Sequence, residues 1–277
     1  MPEPLGQAEP VVDGLAEVWT SIAAACGQLS DDGWMLPTDC PGWTVKDHLS
    51  HLIGIERMLL GDRSPPSLAE VPAHVRNPFG EINEAWVESR RRVPGPEVLA
   101  EFVQTANRRF DALSTLSTAE FDRVGWSPLG DVPYREFMST RIVDTWAHEQ
   151  DVRWALGRPG GRDGVGEGVV LDRCQQTMAF VVGKRVAPPD GSAVLFVVVG
   201  SLGRRFGVTV HRGRAVPEDP STWTDTPTVT LVMNQQTFWR LSFGRTAPEE
   251  AVASGLVDVE GDADMGRRVI AGMPFMT

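Results

Sequence analysis

The chain has 277 residues, 42% of them hydrophobic, enough for one large core or two ordinary ones, and the length favours two. A formal net charge of −11, with no long run of Lys or Arg, leaves no basic face to neutralise phosphates, so nucleic acid is not an expected partner. The opening segment is acidic and no stretch reaches about 18 consecutive apolar residues, so neither a secretory leader nor a membrane span is expected.

Three widely separated cysteines, Cys26, Cys40 and Cys174, form no C-x-x-C pair and fit a reducing, cytoplasmic compartment. Helical spacing of Leu15, Trp19, Ile22 and Cys26 predicts a first helix over Val11 to Leu29. The turn Cys40-Pro41-Gly42-Trp43 then leads into Thr44, an N-cap with Asp47 three residues on, and a second helix to about Leu60. A shorter helix fits Ile82 to Arg92, with Arg90-Arg91-Arg92 as its cationic end. A third long helix fits Glu97 to Leu116, its buried stripe being Leu99, Phe102, Ala106, Phe110 and Leu113. The fourth runs from Tyr134 to Leu156, stopped by Gly157 and Pro159. Four long amphipathic helices read as a four-helix bundle over residues 1–160.

The glycine-rich stretch GRPGGRDGVGEG, Gly157 to Gly168, marks the domain boundary. Beyond it a helical piece fits Val169 to Val182. The apolar run Val194 to Val199, the turn Gly200 to Gly203, and the alternation of Phe206, Val208 and Val210 predict a hairpin. A strand over Thr228 to Met233, an Asn234-capped helix to Phe243, a short helix from Pro248, a strand over Leu256 to Glu260 and an Asp262-capped helix complete a small α+β domain over 169–277. The fold class is therefore α+β.

Five histidines occur. His48 and His51 share a face of the second helix, and Asp144 and His148, one turn apart, share a face of the fourth. Facing helices of a bundle are where metal sites are built, and two imidazoles with one carboxylate suit Zn²⁺ while leaving a position open for chemistry. The alternative is an i,i+4 ion pair on a solvated helix face. His48 is read as supporting the ligands, and as the one candidate general base. Asp151 is read as supporting His148 from behind. His74, in a Pro-rich loop, is expected to have no structural role, and His211 to be exposed at a strand end. Ligation needs neutral imidazoles, so metal affinity is expected to fall below about pH 6.5.

DCPGWTVKDHLSHLIGIERMLLG and RIVDTWAHEQDVRWALGRP resemble the two metal motifs of the mycothiol-dependent maleylpyruvate isomerase family, within the DinB-like superfamily. FWRLSFGRTAPEEAVASGLVDVEGDADMGRRVIAG resembles the sterol-carrier-type domain that often accompanies it. The resemblance implies a DinB-like bundle, a sterol-carrier-like second domain, and His51, Asp144 and His148 as metal ligands. Asp144 departs from the family's usual Glu. It implies no role for Cys40.

The function implied is a cytoplasmic enzyme whose divalent metal, expected to be zinc, activates mycothiol as thiolate against a small electrophile. Cis–trans isomerisation and S-transfer both remain open, as do a metal-dependent hydrolase and a non-catalytic binder of metal or an apolar ligand. Arg245 is read either as a clamp for a substrate carboxylate or as a cap on the preceding helix. The partners are the thiol and the electrophile, with no membrane and with the chain as a monomer or a dimer.

Overall fold

Residues 9–128, 130–162 and 164–275 are described by a computed structural model in which the chain divides into two compact units, 1–167 and 168–277.

In the first unit the helices are α1 (Pro10–Ala25), α2 (Asp31–Trp34), α3 (Val45–Leu59), α4 (Pro78–Glu88), α5 (Gly95–Ser114), α6 (Thr118–Asp122) and α7 (Tyr134–Ala155). α1 packs on α7 and α5, and α3 packs on α5, α4 and α7, so the four long helices form the bundle that their spacing predicts. Leu15 and Ile22 of α1, Leu49, Leu52 and Ile53 of α3, Phe102 and Leu113 of α5, and Ile142 and Trp146 of α7 fill its centre. α3 starts where expected: the Asp47 carboxylate accepts from both the Thr44 N–H and the Thr44 hydroxyl, each at 2.8 Å.

Two expectations shift. The buried stripe of α5 is Val98, Phe102, Thr105, Ala106, Arg109 and Leu113, while Phe110 is exposed and Leu99 half-buried. The helix is rotated because Arg109 turns inward to Glu56 of α3 (3.2 Å). α4 ends at Glu88, so the arginine triplet lies beyond it; Arg90 pairs with Glu101 (2.6 Å) and Arg91 with Asp47 and Glu84 (both 2.9 Å). A hairpin of β1 (Val124–Ser127) and β2 (Gly130–Pro133), absent from the sequence reading, leads into α7.

The unit boundary falls inside α8 (Val165–Phe180), which continues into a π-helical turn over Val181–Val186. The second unit holds β3 (Ala193–Val199), β4 (Arg204–His211), β5 (Arg214–Glu218) and β6 (Val229–Asn234). After these come α9 (Gln235–Ser242), α10 (Pro248–Ala253), β7 (Val257–Gly261) and α11 (Ala263–Gly272). The sheet order is β5-β4-β3-β6-β7, with only β3 and β6 parallel. Phe196 and Phe206 are register partners in the predicted hairpin and stack at 4.8 Å. The π turn and β5 went unread, β5 because Arg214, Pro217 and Glu218 break its apolar pattern. Among the described residues no helix is long and apolar enough to cross a membrane.

Close approach of α3 and α4 depends on Gly54, where an added Cβ would enter the Trp86 ring. Trp86 is buried and flanked by the guanidinium groups of Arg57 and Arg90 at 5.4 and 5.2 Å, so it has nowhere to retreat. Gly54→Ala should therefore destabilise the protein by about 1–3 kcal/mol despite the better helix former. A thermal melt reads this as a lowered Tm; an unchanged or raised Tm would refute the packing argument.

Candidate metal centre

α3 and α7 cross with their polar faces towards each other, and the three predicted ligands meet there. His51 Nε2–H donates to Asp144 Oδ2 at 3.2 Å, and His148 Nε2 lies 3.7 Å from Asp144 Oδ1. His51 and His148 are buried, and Asp144 is about one quarter exposed. The ring of Trp43, delivered by the Cys40-Pro41-Gly42-Trp43 turn, lies over His48, His51 and His148, with centroids 5.5, 5.1 and 5.7 Å away.

That turn is pinned from outside. Trp43 Nε1–H donates to Glu84 (2.8 Å), which also pairs with His74 (3.1 Å) and Arg91 (2.9 Å). His74 thus has a structural role that its loop sequence did not suggest. Its ring packs against Gly42, whose φ of +80° and lack of a Cβ allow the approach.

Charges within the cluster set the state of each ligand. Burial, reinforced by the positive Arg141 and His148, lowers the His51 pKa against the opposing pull of Asp144, so the ring is neutral at neutral pH. Burial raises Asp144, but Arg141, His148 and His51 outweigh it and hold the carboxyl well below its usual range. Arg141 was not singled out in the sequence, although it stands one turn before Asp144. Its guanidinium donates to Asp144 (2.8 Å) and to Glu56 of α3 (3.0 Å). Burial lowers His148, yet the Asp144 charge and hydrogen bonds to Asp151 and Cys40 raise it to about 10. Without metal, His148 is an imidazolium.

Behind His148 the hydrogen bonds assign the remaining protons. The Thr38 hydroxyl donates to the Trp43 carbonyl (3.1 Å) and so accepts from His48 Nε2–H (2.8 Å). That leaves the His48 Nδ1 lone pair to accept from His148 Nδ1–H at 2.9 Å. Asp151 Oδ2 lies 3.7 Å from the same nitrogen, and Cys40 Sγ 3.6 Å from that oxygen. Cys40, assigned no role by the family motifs, therefore reaches the cluster through its turn.

The residues fit a divalent ion. Two imidazoles and a carboxylate converge from rigid helices, and the three donor atoms lie within 4.8 Å of one another. His51 Nδ1 is buried with no hydrogen-bond partner among the described residues, an orphaned polar atom of the kind an ion's presence would explain. Glu149, the residue after His148 on α7, is turned away to Ser21 (2.5 Å) and Arg153 (2.6 Å).

In the second unit the Arg245 guanidinium lies 3.0 Å from the Phe243 carbonyl at the end of α9. His211 closes β4, exposed. Burial raises the Cys26 thiol, with Glu149 adding to it, and burial likewise raises Cys174, both to about 12.

The raised His148 corrects the pH window inferred from sequence. An ion that uses His148 Nε2 must expel a proton held up to about pH 10, so its affinity keeps rising above pH 6.5. In Cys40→Ser, which removes the neighbouring thiol, the apparent Kd for Zn²⁺, measured against a competing chelator, should tighten about tenfold per pH unit from pH 7 to 9, with one proton released per ion. A Kd independent of pH over that range would refute the charge assignment.

Two family models match the chain: the mycothiol maleylpyruvate isomerase N-terminal domain over residues 15–153, and the SCP-2 sterol transfer family over 176–272. Two uncharacterized proteins of Mycobacterium tuberculosis, from different strains, are each 30% identical over 151 residues, 53% of this chain. The match spans 57% of those curated relatives' length. The crystal structure of the mycothiol-dependent maleylpyruvate isomerase superposes with a TM-score of 0.53 at 14% identity, over 92% of this chain and 93% of that one. A histidine-to-alanine mutant of that enzyme gives 0.54 at the same identity and coverage. At that identity the likeness shows the fold, and the first family model, matching half of the sequence, shows more: the chain belongs to the mycothiol maleylpyruvate isomerase N-terminal domain family, with an SCP-2-type C-terminal domain.

Proposed function

We propose that the chain is a metal-dependent, mycothiol-using enzyme, a thiol S-transferase or a cis–trans isomerase of the maleylpyruvate isomerase type, acting in the cytoplasm on a small electrophile. The observation that carries this reading is the convergence of His51, Asp144 and His148 from α3 and α7, in a chain of this family. A divalent ion bound there, zinc by the chemistry of the donors, would supply the Lewis acidity that keeps a thiol ionised at neutral pH.

The chain's own groups prepare that step. Asp144 is held ionised by Arg141, and His51 is held neutral by burial, so two of three ligands are in their binding form. His148 releases its Nε2 proton on ligation while its Nδ1–H stays on His48, which fixes the ring. Trp43 covers the imidazoles on one side and limits access of water. Cys26 and Cys174, with pKa values near 12, are not nucleophiles, which favours a sulfur supplied by a cosubstrate. Hydrolysis is the weaker reading: His48, its candidate base, is fully buried with both ring nitrogens in hydrogen bonds to Thr38 and His148.

Product formation from an electrophilic substrate should require added mycothiol, survive Cys40→Ser, and be abolished by His51→Ala. Asp144→Glu should be the mildest ligand change. Elemental analysis should find close to one zinc per Cys40→Ser chain and none once His51→Ala is added. Full-rate turnover without thiol, or loss of activity in Cys40→Ser with metal retained, would overturn the proposal.

Arg245 is the proposed anchor for a substrate carboxylate, since a guanidinium pairs with a carboxylate through two parallel hydrogen bonds. Arg245→Ala should then raise KM tenfold or more for an anionic substrate at unchanged metal content, by removal of a charge-assisted pair worth about 1.5–3 kcal/mol. An unchanged KM with a lowered Tm would assign Arg245 to capping α9 instead.

A further inference from the structure

The donors behind His148 make up a second set. Cys40 Sγ, a His48 ring nitrogen, a His148 ring nitrogen and an Asp151 carboxylate oxygen all lie within 4.8 Å of one another. We propose that these four residues form a distinct, closed seat for a thiophilic divalent ion, sharing only His148 with the three-ligand centre.

Geometry and chemistry both support it. A tetrahedral zinc with N or O ligands near 2.1 Å and S near 2.3 Å has ligand–ligand edges of roughly 3.3–3.7 Å. The Cys40–Asp151 and His148–Asp151 separations, 3.6 and 3.7 Å, already have that length. The His48–His148 contact, 2.9 Å, is a hydrogen bond that opens by roughly 0.5 Å when the ion replaces the shared proton. His48 and Asp151 are buried to the last per cent, so the seat is desolvated before the ion arrives. Cys40 comes from a turn and not from a helix, and rotation about its Cα–Cβ bond can move the sulfur by the last few tenths of an ångström. A thiolate, two imidazoles and one carboxylate complete a four-coordinate shell with no open position, and the sulfur selects Zn²⁺ or Co²⁺ over Mg²⁺ or Mn²⁺.

The two sets compete for one ring. His148 turns Nε2 towards Asp144 and Nδ1 towards His48 and Asp151. An ion on Nδ1 leaves the ring proton on Nε2 and so withdraws His148 from the three-ligand centre. Loading the closed seat releases two protons, one from His148 and one from the Cys40 thiol, both to solvent.

Cobalt titration of thiol-free, reduced protein tests this without substrate or mycothiol, so its outcome is independent of the proposed reaction. His51→Ala, which breaks only the three-ligand centre, should still bind one Co²⁺ per chain and show the intense near-ultraviolet band of sulfur-to-cobalt charge transfer. The band should vanish in His51→Ala/Cys40→Ser, and in Cys40→Ser alone while weak visible cobalt bands persist. Circular dichroism on each variant verifies the fold. No charge-transfer band in folded His51→Ala, or a band that survives Cys40→Ser, would overturn the proposal.

Discussion

The guanidinium of Arg141 lies buried between two carboxylates, Glu56 on α3 and Asp144 on its own helix, and the geometry of the candidate metal centre depends on it. Arg109 reaches the same Glu56 from α5, and its Nη2 donates to the Tyr134 hydroxyl at 2.6 Å at the head of α7. Three helices are thereby tied at one point by charge-assisted hydrogen bonds, one turn from the ligands. Apolar residues of similar volume would stabilise a bundle as well, so the charges are better understood through what they impose than through net stability. They impose a register: with Glu56 bound to Arg141, His51 is set one turn away, opposite Asp144. They also impose a charge state, since a carboxylate already ionised is ready to take a cation.

The turn that carries Trp43 obeys the same logic from the other side. Glu84 of α4 gathers the Trp43 indole, the His74 imidazole and the Arg91 guanidinium, and Arg91 continues to Asp47 in the first turn of α3. The roof over the imidazoles is thus tied to the helix that carries two of them. The cost of burying Glu84 is met by three donors, which together keep it ionised against desolvation.

The bundle was readable because its helices are long, periodic and bounded by strong signals, such as Thr44 with Asp47 before α3 and Gly157 after α7. The convergence of the three candidate ligands was legible because Asp144 and His148 lie one turn apart on one such helix and His51 lies on another that faces it. What escaped was everything set by tertiary contact. Arg109 looked like a solvent-facing residue of α5 until Glu56 turned the helix, and Phe110 moved outward in exchange. His74 and Cys40 sit in loops, where periodicity says nothing and only the fold decides what they approach. The elevated pKa of His148 follows from Asp144 and Asp151 lying at 3.7 Å on either side of the ring, which sequence spacing alone does not order.

Every candidate ligand of the two sets lies between Cys40 and Asp151, inside the first compact unit. During synthesis this unit is made before residues 168–277, which take on the order of ten seconds to add at about 5–20 residues per second. All the candidate ligands are therefore synthesised before the second unit. If the proposed ion is held at this cluster, its acquisition can begin during synthesis, and the ions present at the ribosome then bear on which one is loaded.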